Sequence, residues 1–183
     1  LDPRGNDVVQ SNKFGLEIDQ TLSPLITIKN SGQFRKKYVE STVSNLRNRD
    51  VKGWWNEIQL QVKLSESLDF DLGLMGGFDS GNQQGKPFSS QAYGLLLNGR
   101  FFFKKTGRFQ SQISWVNAAE KNKLPYLPPE ALNGFPVGTS FRSNTRLQYF
   151  LNRSVSMIFT LNTIDDSRYD NFITFQGEIR AHF

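Results

Sequence analysis

The feature that most constrains this chain is a period of two sustained over long segments. In Phe172 to Phe183, the residues Ile173, Phe175, Gly177, Ile179, Ala181 and Phe183 fall on one side, and Thr174, Gln176, Glu178, Arg180 and His182 on the other. Successive side chains of a strand point to opposite faces, so this segment has one apolar and one charged face. Six earlier segments repeat the scheme. Val155, Met157, Phe159 and Leu161 alternate with Ser154, Ser156, Thr160 and Asn162, with Ile158 as an exception. Phe141, Thr145, Leu147, Tyr149 and Leu151 oppose Arg142, Asn144, Arg146 and Gln148. Phe109, Ile113 and Trp115 oppose Arg108, Gln110, Gln112 and Ser114, and Tyr93, Leu95, Leu97, Phe101 and Phe103 oppose Asn98 and Arg100. Leu68, Phe70, Leu72 and Leu74 oppose Asp69 and Asp71, and Trp54, Ile58, Leu60, Val62 and Leu64 oppose Glu57, Gln59, Gln61 and Lys63.

These segments run about 10 to 13 residues, the length a tilted strand needs to cross a bilayer, whereas strands of soluble domains average about 5 or 6. The connections alternate in length. Ser65 to Ser67, Lys104 to Gly107 and Asn152-Arg153 are short; Asp79 to Ser89 and Asn117 to Gly138 are long, and Asp165 to Asn171 is intermediate. Barrels of the outer membrane have short periplasmic turns and longer external loops, which puts the C-terminus on the periplasmic side. Pro87, Pro125, Pro128, Pro129 and Pro136 fall in the expected long loops, and Pro3 and Pro24 near the N-terminus. None interrupts an assigned strand, as the loss of a ladder hydrogen bond requires.

The expected fold is therefore all-β: an antiparallel up-and-down transmembrane β-barrel. A segment near Lys36 to Leu46 makes the strand count eight, although Tyr38, Val39, Val43 and Leu46 do not share a face. Phe14 to Gln20 and Leu25 to Lys29 would raise it to ten. Residues 1–35 read as an N-terminal segment, either an extra hairpin or a periplasmic stretch, and 36–183 as the barrel. Leu1 opens no charged and apolar leader, so two arrangements are expected: a chain whose leader has been removed, or the C-terminal part of a larger barrel.

Composition agrees. Only 37% of residues are apolar, yet 13% are aromatic, with 16 Phe; a barrel in lipid needs apolar residues at alternate positions only. The longest apolar runs, Leu95 to Leu97 and Phe101 to Phe103, are far short of a membrane helix. With no Cys there is no disulfide, thiolate nucleophile or thiolate metal site. The net charge of +5 is scattered rather than clustered, which argues against nucleic acid.

On this reading Glu57, Lys63, Asp69, Asp71, Arg100, Arg108, Arg142, Arg146, Glu178 and Arg180 face the lumen. In an eight-stranded barrel they would fill the interior and pair with one another; in a wider one they would line a pore. Aromatic residues gather at both strand ends. Trp54, Phe78, Trp115 and Phe141 form an outer girdle, and Phe101, Phe103, Phe109, Tyr149 and Phe183 a periplasmic one.

The pattern from residue 54 to residue 183 resembles the bacterial outer-membrane β-barrel proteins. In that group the last strand ends on an aromatic residue with apolar residues alternating back from it. The resemblance implies an insertion signal at Phe183, Ala181, Ile179, Gly177, Phe175 and Ile173, read by the outer-membrane barrel assembly machinery. Ala181 is smaller than usual, and Gly177 stands one place from its commonest position. Enzymatic members resemble one another in using His with Ser or Asp near the outer rim. The single His here, His182, lies at the opposite end.

No motif names a reaction or cofactor. Asp165, Asp166 and Asp170 cluster near one turn, where three acids are ordinarily solvated rather than bound to Ca²⁺. Gly81 to Lys86 lacks the length, the hydroxyl residue and the strand-to-helix context of a phosphate loop. The expected function is thus a non-enzymatic barrel of the outer membrane that anchors, or contacts other envelope proteins, through its external loops. The alternatives are a porin-like barrel passing small solutes, a soluble β-barrel holding an apolar ligand, and, last, a membrane-embedded hydrolase.

Overall fold

A computed structural model describes residues 7–41, 48–103, 106–122, 124, 127–152 and 154–181. Nine strands follow in order: β1 (Asp7–Ser23), β2 (Ile26–Ser41), β3 (Arg49–Lys63), β4 (Leu68–Gln83), β5 (Lys86–Phe103), β6 (Gly107–Glu120), β7 (Gly138–Phe150), β8 (Val155–Asp166) and β9 (Tyr169–Ala181). They form one antiparallel meander in which each strand pairs with the next. Among the described residues β1 and β9 are free edges, so the sheet is not closed, and the count is nine rather than eight or ten.

The count differs for a local reason. Phe14 to Gln20 lies within β1, while Leu25 to Lys29 and the start of Lys36 to Leu46 belong largely to a single strand, β2. The alternation around Tyr38 and Val39 is poor because both faces are apolar there: Val39 is buried on the inner face and Tyr38 is exposed on the outer one. Val43 and Leu46 lie outside the described residues. β2 runs unbroken through residue 35, where the sequence divides a short N-terminal segment from a barrel.

One connection expected to be long and one expected to be intermediate are tight hairpins. β4 and β5 pair through Asp79 to Ser89, and Pro87 lies inside β5 opposite Asn82. Ser80, Gly81, Asn82 and Gln83 carry no apolar alternation to betray a strand; the pairing rests on backbone bonds and on a turn in which Gln84 and Gly85 both have positive φ (56° and 76°). Such a turn matches the right-handed twist of its strands. Likewise β8 and β9 meet at Ser167-Arg168, where the Asp166 carboxylate accepts from the Arg168 N–H at 2.8 Å. The connection from β6 to β7 is long, as expected.

The register sorts side chains onto two faces. One carries apolar cross-strand rows: Phe14, Phe34, Trp54 and Phe78; Leu74, Leu95, Trp115 and Phe141; Phe101, Phe109, Leu147 and Phe159. These side chains are largely exposed. Apart from Asp170, beside the irregular β8–β9 pairing, the charged residues on this face among the described strands are Lys36, Glu40, Asp50, Lys52 and Asp165, all toward one end of their strands. The other face, here the inner one, carries the remaining strand charges and the buried core, and it holds the β6–β7 connection.

Candidate functional site

The β6–β7 connection folds onto the inner face instead of projecting outward. The Glu120 carboxylate starts the bend by accepting the N–H groups of Asn122 and Leu124, each at 2.8 Å. Leu124 and Leu127 then pack against Val51 of β3, Phe88 of β5 and Ala131. Leu132 is fully buried among Trp55, Met75, Ala92, Leu96, Val116 and Ala118, with Phe135 beside it. Phe135 stacks on Trp55 at 6.1 Å and carries the Arg142 guanidinium 4.2 Å above its ring.

A 3-10 turn at Ala131–Gly134 forms the tip. Leu132, Asn133 and Gly134 all have positive φ (50°, 54° and 78°). That conformation is strained for leucine and persists only where its surroundings hold it in place. Here charged groups of the wall do so. Asp79 of β4 accepts the Leu132 N–H and pairs with Arg35 of β2, Nη2 to Oδ2 at 2.6 Å. Arg35 also donates to the Asn133 side chain, and Arg142 Nη2 donates to the Gly134 carbonyl at 3.1 Å. Glu130 accepts a fork from Arg49, at 3.0 and 2.9 Å, and a bond from Lys37 at 2.8 Å. Burial alone would raise the Glu130 carboxyl, but the hydrogen bonds from Arg49 and Lys37 outweigh it and hold it at about 2.

The turn thus touches β2 through Arg35 and β7 through Arg142. In a flat sheet those strands would stand about 24 Å apart, so the sheet curls around the turn. One glycine makes the tie feasible. Gly53 lies between Arg35 and Asp79 in one cross-strand row, and a methyl there would overlap the Asp79 carboxylate and the Phe78 carbonyl. Its missing side chain lets the ion pair pass over β3.

Toward the other end the inner face is open and polar. Asp71, Asn98, Gln112, Asn144, Asn162 and Thr174 form one row across β4 to β9. All ten charged residues assigned to the lumen share this face. Arg100 lies near Asp71 at 3.3 Å and Asp69 at 4.0 Å, Arg142 lies 3.8 Å from Asp166, and Arg180 pairs with Glu178 at 2.7 Å. Arg108 bonds the Gln148 side chain at 2.9 Å, and Glu57 accepts from Gln59. Lys63 stands opposite Asp69 at the strand end, and Arg146 Nε has no hydrogen-bond partner among the described residues.

The residues assigned to two girdles lie on the opposite, apolar face and are exposed. Trp54, Phe78, Trp115 and Phe141 sit toward the end that bears the β6–β7 connection, and Phe101, Phe103, Phe109 and Tyr149 toward the other. Phe175, Gly177, Ile179 and Ala181 line the same face of β9, where Phe175 stacks on Phe159 at 6.1 Å. His182 and Phe183 lie outside the described residues. Asp165 and Asp166 point to opposite faces, and Asp166 is held by Arg168 at 2.9 Å. Among the described residues no group of acids converges on a metal position.

Sequence reasoning missed Arg35, Lys37, Arg49, Asp79 and Glu130, which lie in segments read as loop or as poor strand. A signal was present. Trp54-Trp55, Leu74-Met75, Leu95-Leu96-Leu97 and Trp115-Val116 each break the alternation, and they occur on four consecutive strands. Apolar side chains on both faces there mark where the inner wall is covered. Comparison with family models, curated proteins and solved structures gives no match.

Proposed function

We propose that this chain forms the wall of a bacterial outer-membrane β-barrel, and that the barrel is a non-enzymatic, porin-like passage for small polar solutes. The exposed face supports lipid contact: it is apolar, bordered by aromatic rings, and charged only toward one end. In water an apolar surface of this extent would drive association. The observation that carries the transport reading is the inward turn at Ala131–Gly134, fixed by Asp79, Arg35 and Glu130 on an apolar seat at one end of the inner face, next to a polar half. A tethered loop narrows a passage without filling it.

The alternative, an anchor whose external loops dock other envelope proteins, needs projecting loops. Among the described residues the β4–β5 and β8–β9 connections are two-residue turns and the β6–β7 connection faces inward; residues 42–47, between β2 and β3, lie outside the described residues. On the transport reading the assembly machinery and the lipid bilayer are the partners, and Phe175 and Ile179 serve insertion. Planar-bilayer recording of the full chain tests it. Discrete conductance steps are expected, enlarged in Leu132→Asp, where the turn is expelled from its apolar seat. A preparation that inserts into bilayers but yields no steps would sink the transport reading.

A further inference from the structure

We infer that the open half of the inner wall carries an oxyanion subsite formed by Arg100, Arg108 and Arg146, so that the solutes favoured are small carboxylates or phosphates. The inference rests on the transport reading for its context, and on separate observations for its chemistry. The three arginines lie on adjacent strands of one face. Arg100 and Arg146 stand on either side of Gln110, and Arg108 is two residues from Gln110 on the same strand. Their backbones therefore lie within about 10 Å of one another, well within the span of three guanidinium groups converging on a single anion.

Their charge is incompletely compensated. Arg100 reaches Asp71 at 3.3 and 3.4 Å and lies 4.0 Å from Asp69, while its Nε has no hydrogen-bond partner. Arg146 Nε is also buried without a partner, and Arg108 is bound to a neutral amide. Glu178, the carboxylate on β9, hydrogen-bonds through both oxygens to Arg180 at 2.7 and 3.1 Å and acts on Arg146 only through space. Like charges on neighbouring strands repel, and partly buried cations want a counter-charge, so the cluster is costly to the empty protein. It contrasts with the loop end, where Arg35, Lys37 and Arg49 each make a close ion pair with Asp79 or Glu130. Of the three arginines only Arg100 lines the open recess of about 280 Å³ beside them, together with Asp71, Asn98, Gln110, Gln112 and Asn144. Arginine offers planar, paired donors that match carboxylate and phosphate oxygens, and the amides suit the hydroxyl or carbonyl groups such solutes carry.

The test combines two readouts on the full chain. In bilayers with a KCl gradient, the reversal potential should show anions preferred over cations, and added inorganic phosphate should reduce chloride conductance. Arg108→Gln with Arg146→Gln should lower the anion preference at least about threefold and abolish the phosphate effect. In detergent, phosphate binding measured by calorimetry should be present in the parent and lost in the double variant, whether or not channels form. Channels that prefer cations, or a phosphate effect unchanged in the variant, would overturn the subsite while leaving the transport reading intact. Phosphate binding without channels would support the subsite and count against transport. An Arg108→Lys, Arg146→Lys protein should keep most of the charge selectivity, which separates loss of charge from loss of fold.

Discussion

The two halves of the inner wall are built from the same strands with the same alternation, yet they differ in what fills their inward positions. Toward the loop end these are Val51, Trp55, Met75, Phe88, Leu96 and Val116, sealed beneath Leu132 and Phe135, with Asp79 and Glu130 neutralised by cations. Toward the other end they are mostly polar, with Arg100, Arg108, Gln110 and Arg146 half-buried and only partly paired, Gln112 and Asn144 exposed, and Ile158 the buried apolar exception. A strand's inner face is polar where water reaches it and apolar where another segment covers it. The transition between the two therefore locates the covering segment.

Three variants and a pH change test that contrast, in descending order of effect. Leu132→Asp puts a carboxylate in the sealed half and should cost about 4 kcal/mol or more, releasing the connection to trypsin after Lys121. Asp79→Ala leaves Arg35 without its carboxylate and removes the acceptor for the Leu132 N–H. It should cost about 3 kcal/mol in thermal unfolding and loosen the same segment. Acidification acts more mildly through Glu130. Its carboxyl is held below the ordinary value of 4.5, at about 2, so the stabilisation it gives is complete above about 4.5 and is lost as pH falls toward 2. Trypsin is inactive at that pH, so pepsin cleavage of the segment is the readout; it should rise over that window and be flat in Glu130→Gln. Asn144→Ala, in the open half, should change unfolding by no more than about 0.5 kcal/mol. A larger loss there than at Asp79 would erase the distinction between the halves.

Much of this was legible in the sequence. The alternation from Trp54 onward specified the central parts of the strands, the apolar face with its aromatic ends, and the shared face of the ten charges from Glu57 to Arg180 that it assigned inward. Periodicity failed where backbone bonds and turn geometry, rather than burial, define the structure. Gln84-Gly85 closes a hairpin between polar strand ends, and β2 runs through Tyr38 and Val39, which are apolar on both sides. The inward course of the β6–β7 connection depends on contacts between residues far apart in sequence, such as Arg35 with Asp79 and Arg49 with Glu130. No local pattern encodes such pairs; the apolar residues that break the alternation on β3 to β6, from Trp54-Trp55 to Trp115-Val116, were their trace.

The central claim is that the apolar face meets lipid while the inner face does not, and the three tryptophans test it directly. Trp54 and Trp115 are exposed on the outer face, at 37% and 52%, whereas its neighbour Trp55 is 7% exposed against Phe135. In single-tryptophan proteins reconstituted into vesicles of brominated lipid, the fluorescence of Trp54 and Trp115 should be strongly quenched and that of Trp55 left nearly unchanged. Equal quenching of all three, or none at Trp54 and Trp115, would contradict the account.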